Sequence, residues 1–346
     1  MNDRKLKILA AVIDEYILTG EPVGSKVIAS LPDINVSAAT VRNDMAMLEQ
    51  LGYLEQPHTS AGRIPTFSGY RLYIEKIMQP HELPEAEVKR LDKMLEDNGA
   101  YTEELIIQSA ATALAELTQC AVVASNEAPK FSVISKVEVV PTGKRLYVIL
   151  LITSDGSIKN KACRMEFDLT HEQLDFFTNY IEENLQGISV ADLSDEMLDK
   201  LVEALGTYML TLSPLVQGVY ELSKGLLHKE LTVRGERNLL SCNELDKMDV
   251  VRFMDNKSEI EHLLNSSFSG IHVMFSEEND GFVIGNSSMI VSSYQKGDQT
   301  AGSLGIIGPV RLDYAKIIPY IEYFTNKISD LLSENSDTDR KEDDNE

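Results

Sequence analysis

Residues 36–73 read VSAATVRNDMAMLEQLGYLEQPHTSAGRIPTFSGYRLY. Ser37 is placed to N-cap a helix. From there the apolar positions recur at Ala38, Val41, Met45 and Leu48, the spacing of one buried helical face. Gly52 stops that helix as a C′ glycine does. The opposite face, in the first two turns, carries Ala39, Thr40, Arg42 and Asn43. It is small and polar, with a guanidinium and an amide, the groups that make paired hydrogen bonds to guanine and adenine edges in a major groove. Amphipathic helices with an Arg and an Asn turned to solvent are common, so the helix alone does not establish contact with DNA.

Its neighbours extend the pattern. Upstream, the spacing predicts a helix over 4–18, with Leu6, Leu9, Ile13, Tyr16 and Ile17 on one face. It ends at Thr19-Gly20-Glu21-Pro22, where glycine permits a left-handed residue and proline cannot continue. A short helix over 25–30 follows, closed by Pro32. Downstream, Tyr53-Leu54-Glu55 and Arg63-Ile64-Pro65 are the two arms of a hairpin around the polar loop 56–62. Three helices and a hairpin in this order make a winged helix-turn-helix. The loop offers His58, Thr59, Ser60 and Arg63 as donors, suited to lie along phosphates or enter a minor groove. The expected DNA-contacting set is therefore Ser37, Ala39, Thr40, Arg42 and Asn43 on the helix, with His58, Thr59, Ser60 and Arg63 on the wing.

The same run closely resembles the N-terminal signature of the HrcA family, the heat-inducible repressors of bacterial chaperone operons. The matching elements are S-x-A-T-V-R-N-D-M, L-E-x-L-G, and P-H-T-S-A-G-R-I-P-T followed by G-Y-R-x-Y. The resemblance implies that Arg42 and Asn43 sit on a recognition helix and that residues 58–63 form the wing. Gly69-Tyr70-Arg71 would open the helix leading out of the domain. It further implies a GAF-like sheet domain interrupted by an inserted dimerising segment, and an inverted-repeat operator called CIRCE upstream of groE- and dnaK-type operons. A GroE chaperonin would keep the repressor active until heat-unfolded clients titrate it away.

The charge is unusual for a protein that touches nucleic acid. The 346 residues carry a formal net charge of −23. Residues 1–80 hold 8 Lys+Arg against 9 Asp+Glu, and the remaining 266 hold 24 against 46. A near-neutral head on a strongly acidic body argues for a separate task at the head. It also excludes bulk positive charge as the source of DNA affinity, so a homodimer reading two half-sites is expected. The three cysteines, Cys120, Cys163 and Cys242, form no CxxC pair, and point to neither a zinc site nor a disulfide framework. With no apolar run near the ~20 residues of a membrane span, the chain is expected to be soluble and cytosolic.

Beyond Pro80 and Pro84 the composition shifts. Helices are predicted over 85–95 and 102–117, the second with an alanine-rich face. From Phe131 the pattern turns to β: strands at 131–140 and 145–152 around Pro141-Thr142-Gly143, then a third at 158–167 after the hairpin dipeptide Asp155-Gly156. Strands recur at 270–275, 281–284, 288–294 and 301–307, with a turn at 278–281. Between these groups lie helices over 170–184, 194–212 and 215–228. The expected fold class is α+β multidomain. The winged helix occupies 1–80. Linker helices and the first part of the GAF-like domain occupy 81–169, the inserted dimerisation segment 170–235, and the second GAF-like part 236–332. An amphipathic helix over 312–332 contains Pro319, and 333–346 reads as a disordered acidic tail with seven acids and two bases.

Chemistry-bearing motifs are sparse. Residues 302–309, GSLGIIGP, lack the Gly-Lys-Ser/Thr ending of a phosphate loop and read as glycines at a strand end and a tight turn. The six histidines form no i, i+4 pair and no HExxH. Neither a catalytic set nor a cofactor fingerprint stands out, so an enzyme is not expected. The competing class is a small-molecule sensor or enzyme built on the GAF-like domain, with the winged helix as an interaction module.

Overall fold

The computed structural model describes the chain except residues 1, 59–60, 97–102, 127–132, 155–156, 206–209, 228–229, 265–269, 277–281, 283, 298 and 343–346. It is a mixed helix-and-sheet molecule whose strand pairs are antiparallel wherever their register is described. It divides into two compact units, residues 1–125 with 231–346, and residues 126–230.

The first unit opens with helices α1 (Asp3–Thr19), α2 (Ser25–Ala29) and α3 (Ala38–Gln50), a ladder of β1 (Leu54–Glu55) with β2 (Ile64–Pro65), and α4 (Phe67–Lys76). Local chemistry sets each boundary. Gly20, in the left-handed region, closes α1 by donating its N–H to the Tyr16 carbonyl. Thr66 caps α4 through its side chain. Helices α5 (Glu85–Glu96) and α6 (Glu103–Thr118) follow, and then strand β3 (Ala121–Asn126).

The spacing predicts β structure only from Phe131, so β3 is an addition. Its reason is burial on both faces: Val122 and Ala124 point into one core, Ala121 and Val123 into another. A strand buried twice loses the alternation that marks strands, and this one directly follows an alanine-rich helix.

The second unit holds β4 (Ile134–Gly143), β5 (Leu146–Thr153), β6 (Ile158–Arg164), α7 (His171–Leu185), α8 (Asp195–Ala204) and α9 (Ser213–Leu227). The predicted turn at Pro141-Thr142-Gly143 falls inside β4, and the chain reverses at Lys144 and Arg145, the latter at φ 57°. The expected Asp155-Gly156 dipeptide lies outside the described residues. A full capping box between Thr170 and Gln173 starts α7. Ile149 and Leu151 of β5 pack with Phe177, Ile181, Leu215 and Val219 of the helices.

After β7 (Glu230–Arg234) come α10 (Glu236–Ser241), α11 (Lys247–Asp255), α12 (Lys257–Leu264), β8 (Ile271–Phe275), β9 (Ser287–Lys296), β10 (Gln299–Pro309) and α13 (Tyr314–Glu342). The sheet order is β7-β3-β10-β9-β8, while β4-β5-β6 form a separate sheet. The strand pattern and the family resemblance predict one sheet interrupted by an insertion at 170–235. The structure corrects this: the three-stranded meander folds with the helices that follow it, and that compact unit spans 126–230. Composition could not separate the groups, because both are rich in Val, Ile and Leu and strand pairing is non-local.

Three further differences have local causes. The strand predicted at 281–284 is absent at its described residues; Phe282 and Ile284 instead plug the core beside Phe253, and the turn expected at 278–281 lies outside the described residues. Glycines 302, 305 and 308 sit within β10 rather than at a strand end, with a Cβ at Gly305 overlapping Met289 and Val123. Helix α13 runs through Ser333 to Glu342, where a disordered tail was expected, because a nucleated helix propagates cheaply through a stretch free of Gly and Pro. Pro319 lies within α13, and the Ala315 carbonyl that its missing N–H would leave unbonded accepts the backbone N–H of His81 at 2.9 Å.

Candidate nucleic-acid interface

Helix α3 begins as its sequence dictates. The Ser37 hydroxyl accepts the Thr40 N–H at 3.3 Å and lies 3.0 Å from the Thr40 hydroxyl. Both hydroxyls are thus used in starting the helix. Val41, Met45 and Leu48 are buried, while Ala39, Arg42 and Asn43 are exposed along the first two turns. That leaves a short outward face carrying one cation and one amide.

What holds this face outward is a residue the periodicity passed over. Asp44, beside Met45, is only 4% exposed. The Arg4 guanidinium of α1 grips it with a fork, Nε to Oδ2 at 2.7 Å and Nη2 to Oδ1 at 3.2 Å. The side-chain hydrogen bond to Asp44 and its charge raise the Arg4 pKa above its ordinary value. Its sequence signal was an acid three residues after Val41, on the apolar stripe itself.

The hairpin is tied down at its return arm. Leu54 pairs with Pro65 and Glu55 with Ile64. Val23 and Arg63 exchange both backbone hydrogen bonds at 2.9 Å, which adds the segment before α2 to the ladder. Gly62 is required by that approach, since a Cβ would overlap the Val23 carbonyl. Arg63, expected to reach DNA, instead turns inward. Its Nε and Nη2 donate to Glu49 Oε2 of α3 at 3.0 and 2.7 Å, leaving the side chain 19% exposed. At the tip His58 is exposed, its carbonyl accepting the Ala61 N–H at 2.9 Å. Thr59 and Ser60 lie outside the described residues. So Ala39, Arg42, Asn43 and His58 are brought to the surface, Ser37 and Thr40 start the helix, and Arg63 is a strut.

The opposite side of this segment joins the sheet in one continuous core, running from Ile8, Val41 and Leu48 through Tyr70 to Phe275, Tyr314 and Phe324. Gly69 lets α4 approach Tyr53, whose carbonyl a Cβ would overlap. The Tyr70 ring lies 6.3 Å from Phe275 and 5.9 Å from Tyr314, centroid to centroid. Its hydroxyl is buried without a hydrogen-bond partner, and burial pushes the phenol far above its usual range. Tyr73 donates to Asp14 Oδ1 at 2.6 Å. Arg311, just before α13, grips Glu244 at 2.7 and 2.8 Å and donates Nη1 to the Ile17 carbonyl at 3.0 Å. It thereby satisfies one carbonyl in the last turn of α1.

Among the described residues, no group of three or more His, Cys, Asp or Glu side chains is placed to hold a metal ion. None of the helices searched is long and apolar enough to cross a membrane. Burial pushes the Cys120 thiol up to about 12, so it is unreactive at neutral pH.

Comparison with known proteins agrees with this architecture. The family model described as HrcA protein C terminal domain matches residues 104–318. The heat-inducible transcription repressor HrcA of Ruminiclostridium cellulolyticum is 34% identical over 339 residues, 95% of this chain and 97% of that protein. The protein of the same name from Acetivibrio thermocellus is 32% identical over 337 residues, covering 95% and 96%. A crystal structure of a hypothetical protein superposes with a TM-score of 0.65 at 25% identity, covering 97% of this chain and 98% of that one.

Proposed function

The chain belongs to the HrcA family, and from that premise we propose that it is a DNA-binding transcription repressor released by heat shock, working in the cytoplasm and not an enzyme. Residues 1–80 act as a winged helix-turn-helix reading an inverted-repeat operator of the CIRCE type, and the five-stranded sheet with its helices serves as a GAF-like body. The observation that carries this reading is the outward face of α3, with Ala39, Arg42 and Asn43 exposed and the buried Asp44 between them and the core held by the half-exposed Arg4 fork. Arg42 suits a guanine edge and Asn43 an adenine edge. His58, with Thr59 and Ser60, runs beside the phosphates.

Affinity comes from pairing. A head with one more acid than base gains little from counterion release, so a second head must convert the next contact into an intramolecular one. The 126–230 unit supplies a surface for a homodimer. Helices α7 and α9 cover the face of its sheet that carries Tyr147, Ile149 and Leu151. The other face presents Leu146, Val148, Leu150 and Ile152 in a stripe along the central strand. Val140, Leu146 and Ile158 on that face are 39%, 39% and 60% exposed. A two-fold contact through this stripe would bury it. A chain carrying such a face, with β5 aggregation-capable when unpaired, is one that a GroE chaperonin would keep active, and titration of the chaperonin by unfolded clients would release the operator.

Footprinting of the purified chain on chaperone-operon promoters at stated salt tests the reading. Protection of an inverted repeat supports it, and uniform protection across unrelated DNA would refute it. Adding chaperonin is expected to raise the active fraction in a titrated gel shift.

A further inference from the structure

The fork that grips Asp44 occupies only part of Arg4. A guanidinium carries five N–H donors, and the fork uses two of them, one on Nε and one on Nη2. The Asp44 side chain is 6% exposed and that of Arg4 49%, so the pair runs from the packed contact of α1 with α3 out to the surface. Asp44 directly follows Asn43, about 100° further round α3. Arg4 therefore stands on a flank of the outward face, beside it and not on it. Three residues along the same side of α1, Lys7 is exposed as well. Taking α3 as the helix that enters the major groove, as proposed above, we propose that Arg4 and Lys7 bind backbone phosphates of the DNA strand along that flank, with Asp44 positioning Arg4.

Dimensions and chemistry both point there. A helix ~10–12 Å across nearly fills a major groove ~12 Å wide, so its outward face meets base edges while the phosphate rims run along its flanks. Ala39, Arg42 and Asn43 hold the face, and the Arg4–Asp44 pair holds a flank. A guanidinium fixed at one edge by a carboxylate presents its other edge in a set direction, so little side-chain freedom is lost when a phosphate binds. The two contacts differ in kind. Asp44 already offsets the charge of Arg4, so Arg4 contributes hydrogen bonds with little counterion release. Lys7 contributes charge, and its contact is read in the salt dependence. Neither residue touches a base, so both contacts serve every sequence alike.

The test is a gel shift of the full chain across a salt series, on the duplex protected in the footprint and on an unrelated duplex of equal length. Arg4→Gln alone would strand a buried carboxylate, so it is combined with Asp44→Asn, which keeps a neutral hydrogen-bonding pair. The double variant is expected to melt within a few degrees of the parent and to bind both duplexes about tenfold more weakly, at nearly unchanged salt slope. Should it not fold, Arg4→Lys, which keeps the ion pair to Asp44 but lacks the second edge, is expected to weaken binding likewise. Lys7→Gln is expected to leave the melt unchanged and to lower the slope by about one on both duplexes. A folded Arg4 variant that binds as tightly as the parent, or an unchanged slope with Lys7→Gln, would each overturn the assignment. A parent chain without preference for the protected duplex would overturn the repressor reading itself. A preference that depends on Arg42 while the Arg4 and Lys7 variants match the parent would overturn the phosphate contacts alone.

Discussion

The molecule contains two antiparallel sheets that differ in how many faces they bury. In the five-stranded sheet, Met289, Ile290 and Val291 of β9 alternate between two cores, and none is more than 2% exposed. In the three-stranded sheet, Ile149 and Leu151 are fully buried on one side, while Leu146 and Ile158 stand open on the other. The first sheet is complete within its own chain. The second keeps a contiguous aliphatic stripe in water, which soluble chains retain where something else covers it. Under the proposed function, a reader one charge short of neutral would need a second copy to hold DNA, and the open face is where that copy would fit.

The sharpest way to break this comparison is to place the same charge on each sheet. Ile290→Asp buries an unpaired carboxylate between a core and a strand, and is expected to cost at least about 4 kcal/mol and leave little folded protein by circular dichroism. Leu150→Asp on the open stripe is expected to keep the far-ultraviolet spectrum and melting cooperativity. In sedimentation equilibrium it should shift dimer to monomer, with operator affinity falling about 100-fold or more as the second contact is lost. A Leu150→Asp variant that stays dimeric places the interface elsewhere.

Smaller substitutions sharpen the picture within the reader. Arg42→Ala is expected to weaken cognate operator binding by about 1–3 kcal/mol and relax preference at one base pair, by competition gel shift against single-base variants. With its guanidinium on Glu49, Arg63 serves as a strut, and Arg63→Ala is expected to act on stability rather than on a phosphate contact. The expected result is about 1 kcal/mol lost from thermal stability, with the slope of log affinity against log salt unchanged. A slope lower by about one would show that Arg63 leaves Glu49 to meet DNA. Tyr70→Phe has the smallest effect. Deleting an unpartnered buried hydroxyl is expected to raise stability by up to about 1 kcal/mol in denaturant melts, and a loss of that size would show the hydroxyl to be bonded.

Legibility followed locality. The Ser37 cap, the α3 stripe, the hairpin arms and the glycine stop at Gly52 are decided by neighbours a few residues apart, and they appear where the spacing puts them. Strand β3 was invisible because two-sided burial erases alternation. The division of strands between two sheets was invisible because Val, Ile and Leu carry no information about which strand they pair with. Within the candidate interface, the outward direction of Arg42 and Asn43 follows from period, whereas the inward turn of Arg63 depends on Glu49, fourteen residues earlier on another element. Arg4 and Asp44, forty residues apart, could be joined only by the packing of α1 on α3.

The central claim is that two copies, paired through the 126–230 unit, supply the affinity that one near-neutral head lacks. Its most direct test is the affinity of the full chain for an intact inverted repeat against a single half-site of equal length, at one fixed salt concentration. At least about 100-fold tighter binding to the intact repeat, with two protomers bound per repeat, is expected. Equal affinity for repeat and half-site, or one protomer per repeat, would contradict it.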